Sequence, residues 1–330
     1  MTTEDLLARS VATWCPGATG IANAARLSGG ASQETWSFDI VHPDGNIGAI
    51  LRRAPMGYGA APDRAAGLDA EAVLMQRAYA AGIPSPRVMH VLSPLDELGT
   101  GFIMARVEGE TIPRKILRDA KFAEARPKLA RQLGGVLAKI HALPLPQLPE
   151  LRRMTAASEI AELERDYRTL NWPRPVFDLA LRWLRDNDPG PAAEGTLVHG
   201  DFRHGNLIIG PDGVRAVLDW ELAHFGDPME DLGWICVNSW RFGEIDKPVG
   251  GFGTRDELFA GYEVEGRRVD AARVHFWEVM GTLRWGVMCC GMMQRFRSGP
   301  DHSMERAMIG RRSSETEIDL LRLLAPRRKP

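Results

Sequence analysis

Eight residues, His199-Gly200-Asp201-Phe202-Arg203-His204-Gly205-Asn206, and the later triplet Asp219-Trp220-Glu221 constrain this chain more than any other stretch. Each polar group stands at the edge of a short apolar run. Leu197-Val198 precedes Asp201, Leu207-Ile208-Ile209 follows Asn206, and Val214–Leu218 ends at Asp219. Pro211-Asp212-Gly213 joins the last two runs with turn chemistry. Three such strands would hold Asp201 in a glycine-flanked turn and bring Asn206 and Asp219 to neighbouring strand ends. A carboxylate and an amide oxygen suit Mg2+, which keeps water and takes its remaining ligands from substrate phosphates. Asp201 is then available to orient a hydroxyl or accept its proton. A zinc set of His199, Asp201 and His204 would leave Asn206 and Asp219 without a purpose, and His199 reads as a structural hydrogen-bonding residue. Asp227 and Asp231 read as structural too.

The rest of the chain divides around this segment. Thr35–Ile40 alternates polar and apolar residues as a half-buried strand does, and Pro43-Asp44-Gly45-Asn46 turns it towards a returning strand, Ile47–Arg53. Residues 69–81 are strong helix formers ending at Gly82, and further strands are expected near 87–92 and 101–107. Beyond residue 107 the helical period dominates, as in Leu129, Leu133, Leu137 and Ile140. Further helices are expected over 156–170, 175–187 and 271–297. A chain of 330 residues has room for two units. The expected division is α+β: a small antiparallel sheet with one helix over 1–106, and a larger, mainly helical part over 107–330.

The Asp-x4-Asn spacing with a strand-end Asp resembles the catalytic pattern of protein kinase-like phosphotransferases. The form His-Gly-Asp-x4-Asn followed by Asp-Trp-Glu, and Gly226-Asp227-Pro228 through Asp231-Leu232-Gly233-Trp234, is similar to the aminoglycoside phosphotransferase/choline kinase family. It leans towards the branch related to acyl-CoA dehydrogenase-associated phosphotransferases. The resemblance covers roughly residues 25–295.

It implies a two-lobed kinase-like fold, ATP and Mg2+ as cofactors, and O-phosphorylation of a small-molecule hydroxyl. Asp201 would be the base, Arg203 would stabilise charge on the γ-phosphoryl group, and Asn206 and Asp219 would hold the metal. Ser28, Gly29, Gly30 and Ser32 would form the phosphate turn, and Ala105 and Val107 would belong to the hinge that holds adenine. Residues 1–114 contain no lysine, so the strand cation must be arginine. Arg52 fits that position, paired with Glu71; its neighbour Arg53 is the other choice. Glu278 and Trp285, on the last long helix, are candidates for the acceptor wall.

Composition narrows the partners. Forty-one Lys+Arg against 43 Asp+Glu give a net charge of −2, with no basic field that would suggest nucleic acid. Residues 251–330 carry 14 basic and 11 acidic side chains, which argues against a polycationic acceptor. An aminoglycoside 3′-type antibiotic kinase and a nucleotide-binding protein without efficient transfer are the alternatives. A protein kinase is disfavoured, because no Ala-Pro-Glu closes a segment after Asp219. Four scattered cysteines and an N-terminus lacking a basic-then-apolar leader point to a cytoplasmic protein without membrane contact.

Overall fold

In a computed structural model that describes residues 1–27, 33–55, 65–192, 195–299 and 303–325, five strands near the N-terminus form one antiparallel sheet. They are β1 (Gly20–Leu27), β2 (Glu34–Val41), β3 (Ile47–Arg53), β4 (Val88–Val91) and β5 (Gly101–Ala105), in the order β1-β2-β3-β5-β4. The period-2 pattern gives the sheet two apolar faces. Phe38, Ile40, Ala49, Leu51 and Ile103 pack on a helix, α1 (Thr3–Trp14), through Leu6, Leu7 and Val11. Ile50, Phe102 and Met104 belong to the main core, with Leu74, Met75 and Ala78 of α2 (Leu68–Ala80). Gly82, at φ 72°, follows α2 and lets the chain reverse into β4.

The sequence led us to expect one helix here, and α1 is a second. Its signal was present: Thr2 and Asp5 form a reciprocal capping box at its start. A buried hydrogen bond from Ser10 to Asp96, and one from His90 to the same carboxylate, clip α1 and β4 together.

After β5 the chain is mostly helical: α3 (Pro113–Arg118), α4 (Arg126–His141), α5 (Ala156–Thr169) and α6 (Pro175–Asp186). Four short strands follow, β6 (Thr196–Val198), β7 (Leu207–Gly210), β8 (Gly213–Val217) and β9 (His224–Gly226). They pair as β6 with β9 and β7 with β8. Then come α7 (Met229–Trp234), α8 (Arg255–Val264), α9 (Ala271–Ser298), α10 (Met304–Gly310) and α11 (Ser313–Leu324). Leu129, Leu133, Leu137 and Ile140 of α4 are all buried, facing a core that α9 also enters. Two glycines set the close approach of α4 and α8. A Cβ at Gly134 would collide with the Leu258 carbonyl, and one at Gly261 with the Arg131 carbonyl. Among the described residues no helix is long and apolar enough to cross a membrane.

Candidate active site

The β7–β8 pairing builds the first half of the site. Leu207 opposes Val217, and the Leu218 N–H donates to the Asn206 carbonyl at 2.8 Å. That register sets Asn206 beside the end of the strand that Asp219 terminates. Asp219 itself adopts a left-handed backbone, φ 65° and ψ 64°, which turns the chain out of β8 into the short 3₁₀ turn Trp220–Leu222. Asp is among the few residues that tolerate this conformation.

Asp201 lies in the turn between β6 and β7. Its Oδ1 accepts from Arg203 Nε at 2.9 Å and from Trp234 Nε1 at 2.8 Å, and its Oδ2 accepts from Asn206 Nδ2 at 2.6 Å. The loop below is fixed by Asp231, which accepts from the backbone N–H groups of His199 and Gly200 at 2.8 and 2.9 Å. Asp231 also pairs with His141, whose other ring nitrogen meets the Tyr262 hydroxyl. Burial works against its charge, but the His141 hydrogen bond and charge prevail and hold its carboxyl below the usual range. His199 is wholly internal, bonding the Leu218 carbonyl through Nε2 and accepting from the Asp201 N–H through Nδ1. His204 is buried against Phe242 and Phe252, and burial pushes its pKa down to about 3, so it is a neutral packing residue at pH 7.

The second half arrives from the sheet. Arg52 and Arg53 are adjacent on β3, so their side chains leave opposite faces. Arg53 turns towards α1 and is held by Glu34, Thr3 and the Leu98 carbonyl. Arg52 turns towards α2 and the β7–β8 pair, donating to Glu71 at 3.1 Å and to Asp219 at 2.5 Å, with Glu221 3.6 Å away. Three carboxylates thus share one guanidinium. Burial of Glu71, 1% exposed, raises its pKa to about 7 despite the opposing pull of Arg52. At the end of β5 the Ala105 N–H donates to Arg87 and the Arg106 N–H to Gly48, so the chain leaves the sheet with Val107 half-buried at the junction.

Of the residues expected from sequence, Asp201, Arg203 and Asn206 are in mutual contact, and Arg52, Glu71 and Asp219 form a second contact group. Ser28, Gly29, Gly30 and Ser32 lie outside the described residues; beside them, Gln33 reaches Glu221 at 3.2 Å. Glu278, expected on the acceptor wall, is buried between two arginines: its Oε1 accepts from Arg241 at 2.9 Å and Arg255 at 2.8 Å, and its Oε2 from Arg255 at 2.6 Å. Trp285 packs on Trp240, whose ring lies under the Arg203 guanidinium. The bond from Trp234 to Asp201 spans 33 residues, and the sequence signals Trp234 only as part of the motif that follows Gly226.

The chain is 30% identical over 230 residues to acyl-CoA dehydrogenase family member 11 of Gallus gallus, covering 65% of this chain and 28% of that one. It is 29% identical over 200 residues to family member 10 of Mus musculus, covering 57% and 18%. The chain thus spans less than a third of the length of these curated relatives. Among solved structures, a candidate aminoglycoside phosphotransferase from Ralstonia eutropha shares the fold at TM-score 0.75 and 21% identity, over 97% of each chain. A choline/ethanolamine kinase family protein from Mesorhizobium loti does so at TM-score 0.62 and 21% identity, over 99% and 96%. A thermostable variant of aminoglycoside phosphotransferase APH(4)-Ia, in complex with AMP-PNP and hygromycin B, aligns at TM-score 0.62 and 18% identity over 98% of each chain. The fold is therefore protein kinase-like. The profile of the phosphotransferase enzyme family (APH) matches residues 23–268, which include both halves of the site, and the chain belongs to that family.

Proposed function

We propose that this protein transfers the γ-phosphate of ATP to a hydroxyl of a small molecule, with Asp201 as the base. One observation carries the reading: a buried carboxylate with a single acceptor position left sits beside Asn206, at the end of the strand pair where Asp219 meets the Arg52–Glu71 pair from the other lobe. A carboxylate offers about four acceptor positions. Three are taken at Asp201, and the fourth, on Oδ2, suits an acceptor O–H.

The site fits Mg2+ by the chemistry of its donors. Asn206 spends its amide nitrogen on Asp201, which leaves its oxygen, and Asp219 supplies a carboxylate. Asp219 and Glu221 together exceed the charge of Arg52, which suits a cation beside Asp219. When bound there, Mg2+ would offset phosphate charge during transfer.

In the reaction Asp201 orients the acceptor hydroxyl and takes its proton as the new oxygen–phosphorus bond forms and ADP departs. Arg52 offers a planar, bidentate donor set to the phosphates. Arg203, one bond from Asp201, balances charge on the transferring group. The Ala105–Val107 junction would hold the adenine. Positioning and electrostatics account for most of the rate. Trp285, packed on Trp240, would stand on the aromatic side of the acceptor region.

The aminoglycoside alternative meets an obstacle. A polycation needs uncommitted carboxylates, yet Glu230, Glu278 and Asp227 are each paired with an arginine. A neutral or anionic acceptor is favoured. ADP release in the presence of Mg2+ should be measured against alcohols, sugars, aminoglycosides and hydroxyacyl-CoAs. Turnover that disappears in Asp201→Asn supports the reading, and turnover that persists there overturns it.

A further inference from the structure

We infer that Trp234 is the positioning residue that keeps Asp201 aimed while phosphate moves, a role that rests on the functional reading above. The argument begins with an imbalance among buried indoles. Trp240, Trp277 and Trp285 lie on or beside the same helices and leave their ring N–H groups without a partner. Trp234 does not: its N–H donates to Asp201 Oδ1 at 2.8 Å. A buried N–H aimed at a buried carboxylate is a charge-assisted bond, stronger than a neutral one.

The indole is seated on three sides. The Arg284 guanidinium lies over its ring at 4.9 Å, and Trp240 meets it edge-on at 5.3 Å. Gly281, one turn before Arg284 on α9, leaves the room: a Cβ there would stand 2.8 Å from the Trp234 ring. Gly233 lets α7 lie close to α9, since a Cβ there would stand 2.7 Å from Trp277. Arg284 is anchored in turn, to the Gly200 carbonyl at 3.1 Å and to Glu230 at 3.2 Å. One guanidinium therefore fixes both the ring that holds Asp201 and the backbone immediately before it.

Why two donors are needed on Oδ1 follows from their chemistry. Arg203 is a charged donor, 28% exposed, which also donates to the His204 carbonyl at 2.8 Å and is suited to balance charge on the transferring phosphoryl group. Were Arg203 to turn to the phosphate, Trp234 would remain as the donor on Oδ1. Trp234 is neutral, 3% exposed and too confined to leave. It holds the carboxylate plane, so that Oδ2 continues to face the acceptor hydroxyl.

The test replaces the N–H and nothing else. Trp234 is exchanged for β-(benzothien-3-yl)alanine, which carries sulfur in place of N–H at nearly the same volume, and Trp234→Phe is made in parallel. The probe is ADP release from Mg2+·ATP, with glycerol, choline or hygromycin B added as acceptor and water serving in their absence. The benzothienyl protein is expected to lose roughly 10- to 100-fold in kcat, with the KM for ATP and the Tm close to the unmodified protein. The Arg203→Met variant should lose more when combined with it than the two separate losses multiply to, because Oδ1 then has no donor. An unchanged kcat in the benzothienyl protein, or a loss only in Trp234→Phe, reduces Trp234 to packing and overturns the inference alone. Absent turnover in the unmodified protein, or turnover that survives Asp201→Asn, overturns the functional reading and this inference with it.

Discussion

Arg52 donates to Asp219 across 167 residues of sequence, from the third strand of the N-terminal sheet to the end of β8. This one contact ties the sheet to the strand pair carrying the proposed metal ligands, and Glu71 shares the same guanidinium. Removing the cation as Arg52→Met strands a buried carboxylate. The loss is expected to be about 3 kcal/mol in urea unfolding, together with weaker ATP binding by isothermal titration.

Glu71 should leave a signature in the pH dependence of stability. Burial raises its pKa to about 7 from 4.5, so the folded state holds a proton that the unfolded state has released. Its contribution to stability must then fall as pH rises from about 4.5 to 7 and level off above. Glu71→Gln, which mimics the protonated form, should abolish that slope. The difference in Tm between the two proteins across the interval is the measurement, and parallel curves would refute the assignment.

The backbone of Asp219 separates charge from conformation. Asparagine accepts a left-handed φ of 65° nearly as well as aspartate. Asp219→Asn should therefore keep its Tm and lose activity by on the order of 100-fold. Asp219→Ala should suffer the same kinetic loss and also unfold about 1–2 kcal/mol more easily.

On the alkaline side, His224 and Glu230 join β9 to α7 at 3.1 Å. Burial alone would lower the imidazole, but the Glu230 charge and hydrogen bond outweigh it and raise the pKa to about 9. The pair's contribution is complete below about 6.5 and is lost as pH rises through about 9. Urea midpoints of the unmodified protein and His224→Gln should converge above pH 9.

Helix approach gives a purely structural expectation. Gly134 and Gly261 face the backbone of the opposite helix, Gly134 the Leu258 carbonyl and Gly261 that of Arg131. Alanine at either position must push α8 away from α4, at a cost of about 1–3 kcal/mol in urea unfolding. Gly99→Ala offers a contrast, because its Cβ would meet open space and only the positive φ is strained.

What was readable in the sequence depended on how local each signal was. The Asp201–Asn206 turn and the flanking strands declare themselves within 25 residues, as glycines, turn formers and apolar runs. Choosing Arg52 over Arg53 needed the sheet, since only its two faces separate neighbours on a strand. Glu278 is the opposite case: an acid on an apolar helix gives no hint of its arginine partners, 23 and 37 residues away. The Trp234 bond was equally distant, and an indole in an apolar segment gives no hint that its nitrogen is committed. Helix α1 announces itself only through its capping box, because its polar residues mask a narrow apolar stripe.

The use of arginine at position 52 also determines how the protein would register in surveys of nucleotide-binding proteins. Acyl-phosphate nucleotide probes mark a site by acylating a nearby amine. Here the cation beside Asp219 is a guanidinium that stays protonated and accepts no acyl group. The first lysine of the chain, Lys115, lies beyond the sheet, on α3. A probe that depends on an amine in the sheet would find none within residues 1–114, whereas a photoreactive nucleotide needs no amine.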